Sequence, residues 1–441
     1  VKRIFAEFAY GPGPRAGCWW DETIAAPAWP VLQGAVHADV AIIGAGFTGL
    51  SAALHLAEAG ATVAVLEAGP PGWGASGRNG GFCCLGGARI GATALTRKYG
   101  HDAARSYFQA EKDAVDLVGQ LLKRHNIQAD LHSNGETQMA HRARDMNGLR
   151  AAAETLWRNG GSAELIEAAD LPAAGMAGPF HGALTTKVGF ALNPRKYLFG
   201  LSRAAQAHGA ILHRDSPAQR IERHGASYRI ATRQGHVLAP TVLIATNGYS
   251  SEDLPTWLAG RYMPSQSNVL VTRPLTDEEI AAQGWNSDQM AYDTRNLLHY
   301  FRLMPDRRFL FGMRGGLMSS PRAERRAQYG TRRNFEQMFP AWRDVPSPWQ
   351  WSGMVCLSRH RVPYVGPVPD HPGMFAGLAY HGNGIAMGSY AGRVLADLAL
   401  SREPATPCLS VIASPMKRFP FGSLRRVLMP AAYLFYGLHD I

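Results

Sequence analysis

Val40-Ala41-Ile42-Ile43-Gly44-Ala45-Gly46-Phe47-Thr48-Gly49, followed by a helical stretch and then by Thr62-Val63-Ala64-Val65-Leu66-Glu67, is the part of this chain that decides its fold. The apolar run from Val40 to Ile43 is long enough for one buried strand and too short for a helix. Glycines then break the pattern. From Thr48 to Ala59 the period becomes helical, with Leu50, Ala53, Leu54 and Ala57 on one face. Gly60 suits a helix C-terminus, and Thr62 to Leu66 reads as a second buried strand. Strand, glycine loop, helix and strand make a βαβ unit, so the two strands are expected to lie parallel. An α/β fold follows.

The glycine spacing has a chemical purpose. Gly44 permits the tight turn out of the strand, Gly46 lets the backbone approach a pyrophosphate, and Gly49 lets the helix pack closely on the strand. Ala45, Phe47 and Thr48 complete the loop. The helix start offers unpaired amides and a partial positive charge to phosphates. Glu67 ends the second strand, 18 residues after Gly49, with Ala68 beside it. A carboxylate there accepts hydrogen bonds from both ribose hydroxyls and repels a 2′-phosphate, which argues against NADP. A lone GxGxxG is weak evidence; with strand, helix, second strand and terminal Glu it points strongly to a dinucleotide. The loop alone does not separate FAD from NAD.

A second glycine-rich stretch follows closely: Gly74-Ala75-Ser76-Gly77-Arg78-Asn79-Gly80-Gly81. It exposes many backbone amides, and Ser76, Arg78 and Asn79 add side-chain donors. Such a segment suits a second approach to phosphate or to the edge of a polar ring. The competing reading is a flexible surface loop. An NAD enzyme has no obvious need for it.

The 441 residues are 46% hydrophobic and 18% charged, enough apolar material for a large core and against wholesale disorder. Net charge is +11, but the basic residues are mostly scattered. The densest group, from Arg322 to Arg333, reads as a solvated helix face or loop in preference to a nucleic-acid footprint. The five cysteines (Cys18, Cys83, Cys84, Cys356, Cys408) form no CxxC pair and no metal-ligand spacing. They fit a reducing, cytoplasmic compartment. No signal peptide and no membrane span are expected. Helices are predicted over 100–125, 143–159, 195–207 and 389–398. Strands are predicted near Ile211, Tyr228, 241–246, Val269, Phe309 and 374–378. Residues 257–350 read as a separate sheet, and Trp19 and Trp20 as anchors of an irregular N-terminal arm.

Taken together, GAGFTGLSAALHLAEAG followed by VLEA, then GASGRNGG, and the late turn His381-Gly382-Asn383-Gly384-Ile385-Ala386, resemble the D-amino acid oxidase superfamily of flavoproteins. Within it the likeness is nearest to the gamma-glutamylputrescine oxidase subgroup, whose C-terminal stretch is similar to Arg418-Phe419-Pro420-Phe421 and Tyr433 to Tyr436. The resemblance spans roughly residues 20–441. It implies an α/β fold of D-amino acid oxidase/glutathione reductase type, with a Rossmann-type FAD-binding domain and a second, antiparallel-sheet substrate domain. The expected layout is an arm over 1–36, FAD-binding parts at 37–95, 195–256 and 355–405, substrate-domain parts at 96–194 and 257–354, and a C-terminal segment at 406–441.

The resemblance also implies roles. Gly44 to Gly49, Glu67 and Ala68 would hold the ADP half of FAD. Ser76 to Gly81 would reach the flavin side, with Gly74 and Ala75 also in the cofactor site. Thr246-Asn247-Gly248 would approach the cofactor backbone, and Gly382 to Met387 would point a helix start at the flavin's pyrimidine edge. The expected reaction takes a hydride from a carbon bearing an amine, with O2 reoxidising the flavin. The partners are a small-molecule amine and O2, with no nucleic acid. In the strand His299-Tyr300-Phe301-Arg302, alternation puts Tyr300 and Arg302 on one face, where Arg302 would bind a substrate carboxylate and Tyr300 would line the site. His381 is a further candidate pocket wall. Cys356 falls roughly where some relatives attach FAD covalently, but the surrounding motif departs from theirs, so non-covalent FAD is expected. Two other functions compete. One is a dehydrogenase of D-amino acids, proline or methylated glycines that uses another acceptor; the other is an RNA-binding flavoprotein that modifies tRNA.

Overall fold

Val40, Ile42, Val63 and Val65 face one side of a sheet, while Ala41, Ala64 and Leu66 face the other, as alternation along buried strands requires. This is seen in a computed structural model that describes residues 1–158, 160–316, 318–404 and 409–440. The sheet has six strands in the order Tyr364–Pro367, Met374–Leu378, Thr241–Ile244, Val40–Ile43, Val63–Leu66 and Ile211–His213. All neighbours are parallel except the outermost pair, Tyr364–Pro367 with Met374–Leu378. Val40 pairs with Val63 and Ile43 with Leu66, so the expected βαβ unit is present.

Helices Phe47–Glu58, His101–Arg124, Pro194–Ala207 and Ala386–Ala399 cover one face of this sheet, packing Leu50, Leu54, Tyr107, Leu198 and Val394 onto Ile42 and Val65. Asn193 caps the third of these by accepting from the Arg195 and Lys196 amides. The other face carries a four-stranded sheet, whose Ile230, Val237 and Ala239 pack on Ala41, Ala64 and Ile244.

An eight-stranded sheet runs in the order Trp349–Ser358, Tyr262–Val271, Phe309–Arg314, His299–Leu303, Met290–Asp293, Glu136–Met139, Gly182–Thr186 and Ala163–Glu167. It is antiparallel except where Met290–Asp293 meets Glu136–Met139, so the expected antiparallel sheet is in fact mixed. One face packs Phe301, Phe309 and Phe311 against Trp285, Phe335, Phe339 and Trp342. Each such fully buried ring contributes roughly 2–3 kcal/mol by area. This aromatic layer leaves the opposite face free to carry polar groups.

The arginine-rich stretch lies on helix Pro321–Met338, capped by Ser320. Glu324, Thr331, Phe335 and Met338 face inward while Arg322, Arg325, Arg326 and Arg333 are exposed, a solvated helix face. Trp20 packs edge-on against Trp351 and donates to Asn79 O at 2.8 Å, so the arm is pinned to the GASGRNGG segment. Helix Leu428–His439 is held by polar ties: Tyr433 Oη meets Ser265 Oγ at 2.6 Å, and the Asp440 carboxylate accepts from the Asn296 and Leu297 amides. Leu424, just before the helix, and Leu434 within it are exposed. Among the described residues no helix is long and apolar enough to cross a membrane. Cys18, Cys83, Cys84 and Cys356 are free and buried; Cys408 lies outside the described residues.

Candidate active site

A cavity of about 450 Å³ is lined from both large sheets. At one end stands the first glycine loop. Gly44 has φ +104°, and a Cβ there would come within 2.8 Å of Ala245 O. A Cβ at Gly49 would lie 1.9 Å from Gly44 O, so this glycine serves helix–strand packing and does not itself line the cavity. Helix Phe47–Glu58 starts at Gly46 without a side-chain cap, which leaves amides of its first turn unpaired. Ser76 Oγ reaches across to accept from Phe47 N at 3.0 Å. The Glu67 carboxylate is fixed by Ala45 N at 2.9 Å and Gly69 N at 3.2 Å. Burial pushes its carboxyl up, and those backbone donors pull against the shift.

The second glycine segment continues the wall through Gly74, Ala75, Ser76, Arg78, Asn79 and Gly80. Its two long polar side chains are occupied in holding the loop. Arg78 is buried and donates to Trp73 O at 2.6 and 2.9 Å and to Ser352 O at 3.1 Å. Asn79 donates to Ala75 O and Ser76 O and accepts from Gly81 N. The donors left for a ligand are therefore backbone amides and Ser76. Gly81 turns away at φ +77° and does not line the cavity.

Thr246 and Asn247 line the cavity beyond the Thr241–Ile244 strand, and Asn247 Oδ1 accepts from Ala379 N at 2.9 Å, tying two parallel strands together. Gly248 instead packs beneath Met354 and Cys356. Gly382, Asn383, Gly384 and Ile385 form the far wall, where helix Ala386–Ala399 begins without a side-chain cap. Ala386 and Met387 point into the helical core. One lining thus runs from Glu67 and an uncapped helix start to a second uncapped helix start. It fits a dinucleotide that carries a ring system beyond its phosphates.

One face of the eight-stranded sheet closes the cavity. Glu136, Tyr292, Tyr300, Arg314 and Ser267 come from five adjacent strands and all line it. Tyr300 donates to or accepts from Ser267 Oγ at 2.9 Å, and burial pushes its phenol up. Arg314 donates to His381 O at 3.1 Å. Burial, reinforced by Arg89, lowers its guanidinium to about 10, so it stays charged at neutral pH. Burial raises the Glu136 carboxyl to about 8; the Cys84 thiol lowers it and Glu111 raises it further. None of Glu136, Tyr292, Arg314 and Arg89 was singled out from sequence.

Arg302 does not line the cavity. It shares a face with Tyr300, yet its guanidinium is buried, donating to Leu192 O at 2.9 Å and meeting His132 Nε2 at 2.9 Å, beside the rings of Trp20 and Phe82. Burial lowers it to about 9. His381 does line the cavity, but both ring nitrogens are taken: Nδ1 donates to Gly87 O at 2.7 Å and Nε2 accepts from Ser358 N at 3.1 Å. Burial lowers its imidazole to about 4, so the ring is neutral. Cys356 lies at the cavity edge with its side chain in the apolar cluster of Tyr262, Ile244 and Ala379, and burial pushes its thiol up to about 12.

The family described as FAD dependent oxidoreductase matches residues 39–398. The chain is 31% identical to a probable oxidoreductase OrdL of Rhizobium meliloti, over 96% of this chain and 97% of that one. It is 30% identical to a gamma-glutamylputrescine oxidoreductase of Escherichia coli, over 93% and 94% respectively. Among solved structures it is similar in fold to glycine oxidase from Geobacillus kaustophilus, with a TM-score of 0.72 at 19% identity, over 87% of this chain and 99% of that one.

Proposed function

The chain belongs to the FAD-dependent oxidoreductase family, and on that premise we propose that it is an amine oxidase acting on gamma-glutamylputrescine or a similar amine that also carries a carboxylate. When bound, FAD supplies a hydride acceptor for the carbon bearing the amine and passes the electrons to O2, giving peroxide. The residues that would hold it are Gly44 to Gly49, Glu67 and Ala68 on the ADP half, Gly74 to Gly81 and Thr246 to Gly248 along the middle, and Gly382 to Met387 at the ring. Gly49, Gly81, Gly248, Ala386 and Met387 act in this reading through backbone packing rather than contact. Cys356, a thiol in apolar surroundings, is a poor nucleophile, which speaks for non-covalent FAD. The buried free thiols also suit a cytoplasmic enzyme.

The observation that carries the amine reading is the polar row Glu136, Tyr292, Tyr300 and Arg314 on one sheet face. It puts an acid and a cation in one dry cavity, with phenols between their strands. Arg314, assisted by Arg89, would bind the substrate carboxylate in the role that sequence gave to Arg302. Glu136 would face the amine and, once ionised as pH approaches about 8, would accept its proton so that the nitrogen lone pair is free as the C–H bond breaks. Tyr300 and Tyr292 would exclude water and orient the carbon chain. His381, neutral and doubly bonded, would position the helix start at Gly382 without exchanging protons.

Anaerobic mixing of the flavin-loaded protein with an amine panel tests the reading: gamma-glutamylputrescine or a close analogue should bleach the flavin band, and admitting O2 should restore it with peroxide release. A flavin that no member of the panel reduces would sink the proposal. Reduction without fast recovery in O2, but with recovery by an artificial acceptor, would favour a dehydrogenase.

A further inference from the structure

Three of the helices that cover the parallel sheet end at one place. Glu58 is the last residue of Phe47–Glu58, His125 follows His101–Arg124, and His208 follows Pro194–Ala207. His125 Nε2 lies 3.4 Å from Glu58 Oε1, His208 Nε2 lies 4.0 Å from the same oxygen, and the three atoms fall within 4.8 Å of one another. The site is about 18 Å along the first helix from the nucleotide loop. It plays no part in the chemistry proposed above.

We propose that Glu58, His125 and His208 bind a divalent transition-metal ion, with zinc the best match, as a staple between the three helix ends. Two imidazoles and one carboxylate make a borderline donor set that zinc prefers and that magnesium and calcium do not. A tetrahedral zinc with ligands at about 2.0–2.1 Å needs donor atoms about 3.4 Å apart. One edge already has that length, and rotation of the exposed His208 ring shortens the others. His125 Nε2 is buried and makes no hydrogen bond, so it is free to offer a lone pair to an ion. The carbonyl ends of three helices converge there, and their partial negative charge favours a cation. The competing partner is Arg124, 3.3 Å from Glu58 Oε1. Its side chain is half exposed, and such pairs are worth little. Water takes the open fourth position beside His208.

Chelator-treated, flavin-loaded protein is titrated with zinc chloride by calorimetry, and its melting temperature is read with and without zinc. One zinc per chain and a raised melting temperature are expected, with no response to magnesium. Cobalt substituted for zinc should give the visible bands of four-coordinate cobalt. His208→Ala, at an exposed position, should keep its fold and flavin yet bind zinc at least about tenfold more weakly, since even outer partners of metal ligands cost that much. Glu58→Gln should behave alike. Zinc affinity unchanged in His208→Ala and Glu58→Gln overturns the proposal, and so does a wild-type protein that takes up no zinc.

Discussion

Glu136 and Arg314 were invisible to pattern reading for a physical reason. A lone Glu in a strand and an Arg at a strand end are usually solvent groups, and only the sheet order brings them to one cavity. Arg302 was the legible choice because it alternates with Tyr300, but alternation fixes the face and not the neighbour. On the next strand Gly312 stands opposite Tyr300, and Arg314 two residues on reaches the cavity instead. The two arginines should therefore separate by kinetics. Arg314→Met should raise KM for a carboxylate-bearing amine about 10- to 100-fold, the loss of a charged hydrogen-bonding pair worth roughly 1.5–3 kcal/mol, while flavin content holds. Arg302→Met should instead lower the melting temperature and leave KM of the surviving protein near wild type. Glu136 adds a pH signature. Its folded carboxyl sits near 8 against an ordinary 4.5, so between those values the folded protein keeps a proton that the unfolded chain has lost. Stability should fall as pH rises through that window, by at most about 1.4 kcal/mol per unit. Glu136→Gln should flatten that part of the wild-type curve in thermal melts from pH 5 to 9. An unchanged slope would show that Glu136 ionises normally.

At the scale of elements, the strands and the loop helix were readable because burial imposes period two on strands and a stripe on helices. Strand Met374–Leu378 falls where the apolar run predicted it, and helix Phe47–Glu58 differs from the prediction by one residue at each end. The parallel junction of Met290–Asp293 with Glu136–Met139 was not readable, because pairing between residues as far apart in the chain as Glu136 and Met290 leaves no local trace. The attachments of the C-terminal helix, at Tyr433 and Asp440, were not readable either, because each depends on a partner far away in the chain. Those two ties fasten the helix to strand Tyr262–Val271 at Ser265 and to the turn between Met290–Asp293 and His299–Leu303. Asp440→Ala frees one end of the helix and leaves two backbone amides, of Asn296 and Leu297, without their acceptor. Faster proteolysis after residue 420 and a higher KM are expected, with the flavin spectrum unchanged. Normal protease resistance would show that Asp440 does not hold the helix.

For the molecule as a whole, the cavity is where distant pieces of chain meet: lining residues come from within 43–48, 66–89, 245–249, 353–356 and 380–385, and from Glu136, Ser267, Tyr292, Tyr300 and Arg314 on the eight-stranded sheet. The two glycine motifs announced a dinucleotide from sequence because phosphates demand close backbone approach, which only glycine allows. The sheet that closes the cavity demands shape and polarity, which many residue types supply. FAD held there would contact both sheets at once, so it should stabilise their association and not merely fill a pocket. At free FAD of a hundred times Kd the folded state gains about 2.7 kcal/mol. Protein stripped of flavin should therefore melt lower, and its melting temperature should climb with added FAD. Gly49→Ala tests the same coupling from inside the fold. Its new Cβ cannot clear Gly44 O without parting the loop helix from the sheet, an overpacking that costs roughly 1–3 kcal/mol. That variant should purify colourless and melt below the stripped wild type, with little response to FAD. A yellow Gly49→Ala protein that melts like the wild type would show that the helix start is not what joins cofactor to fold.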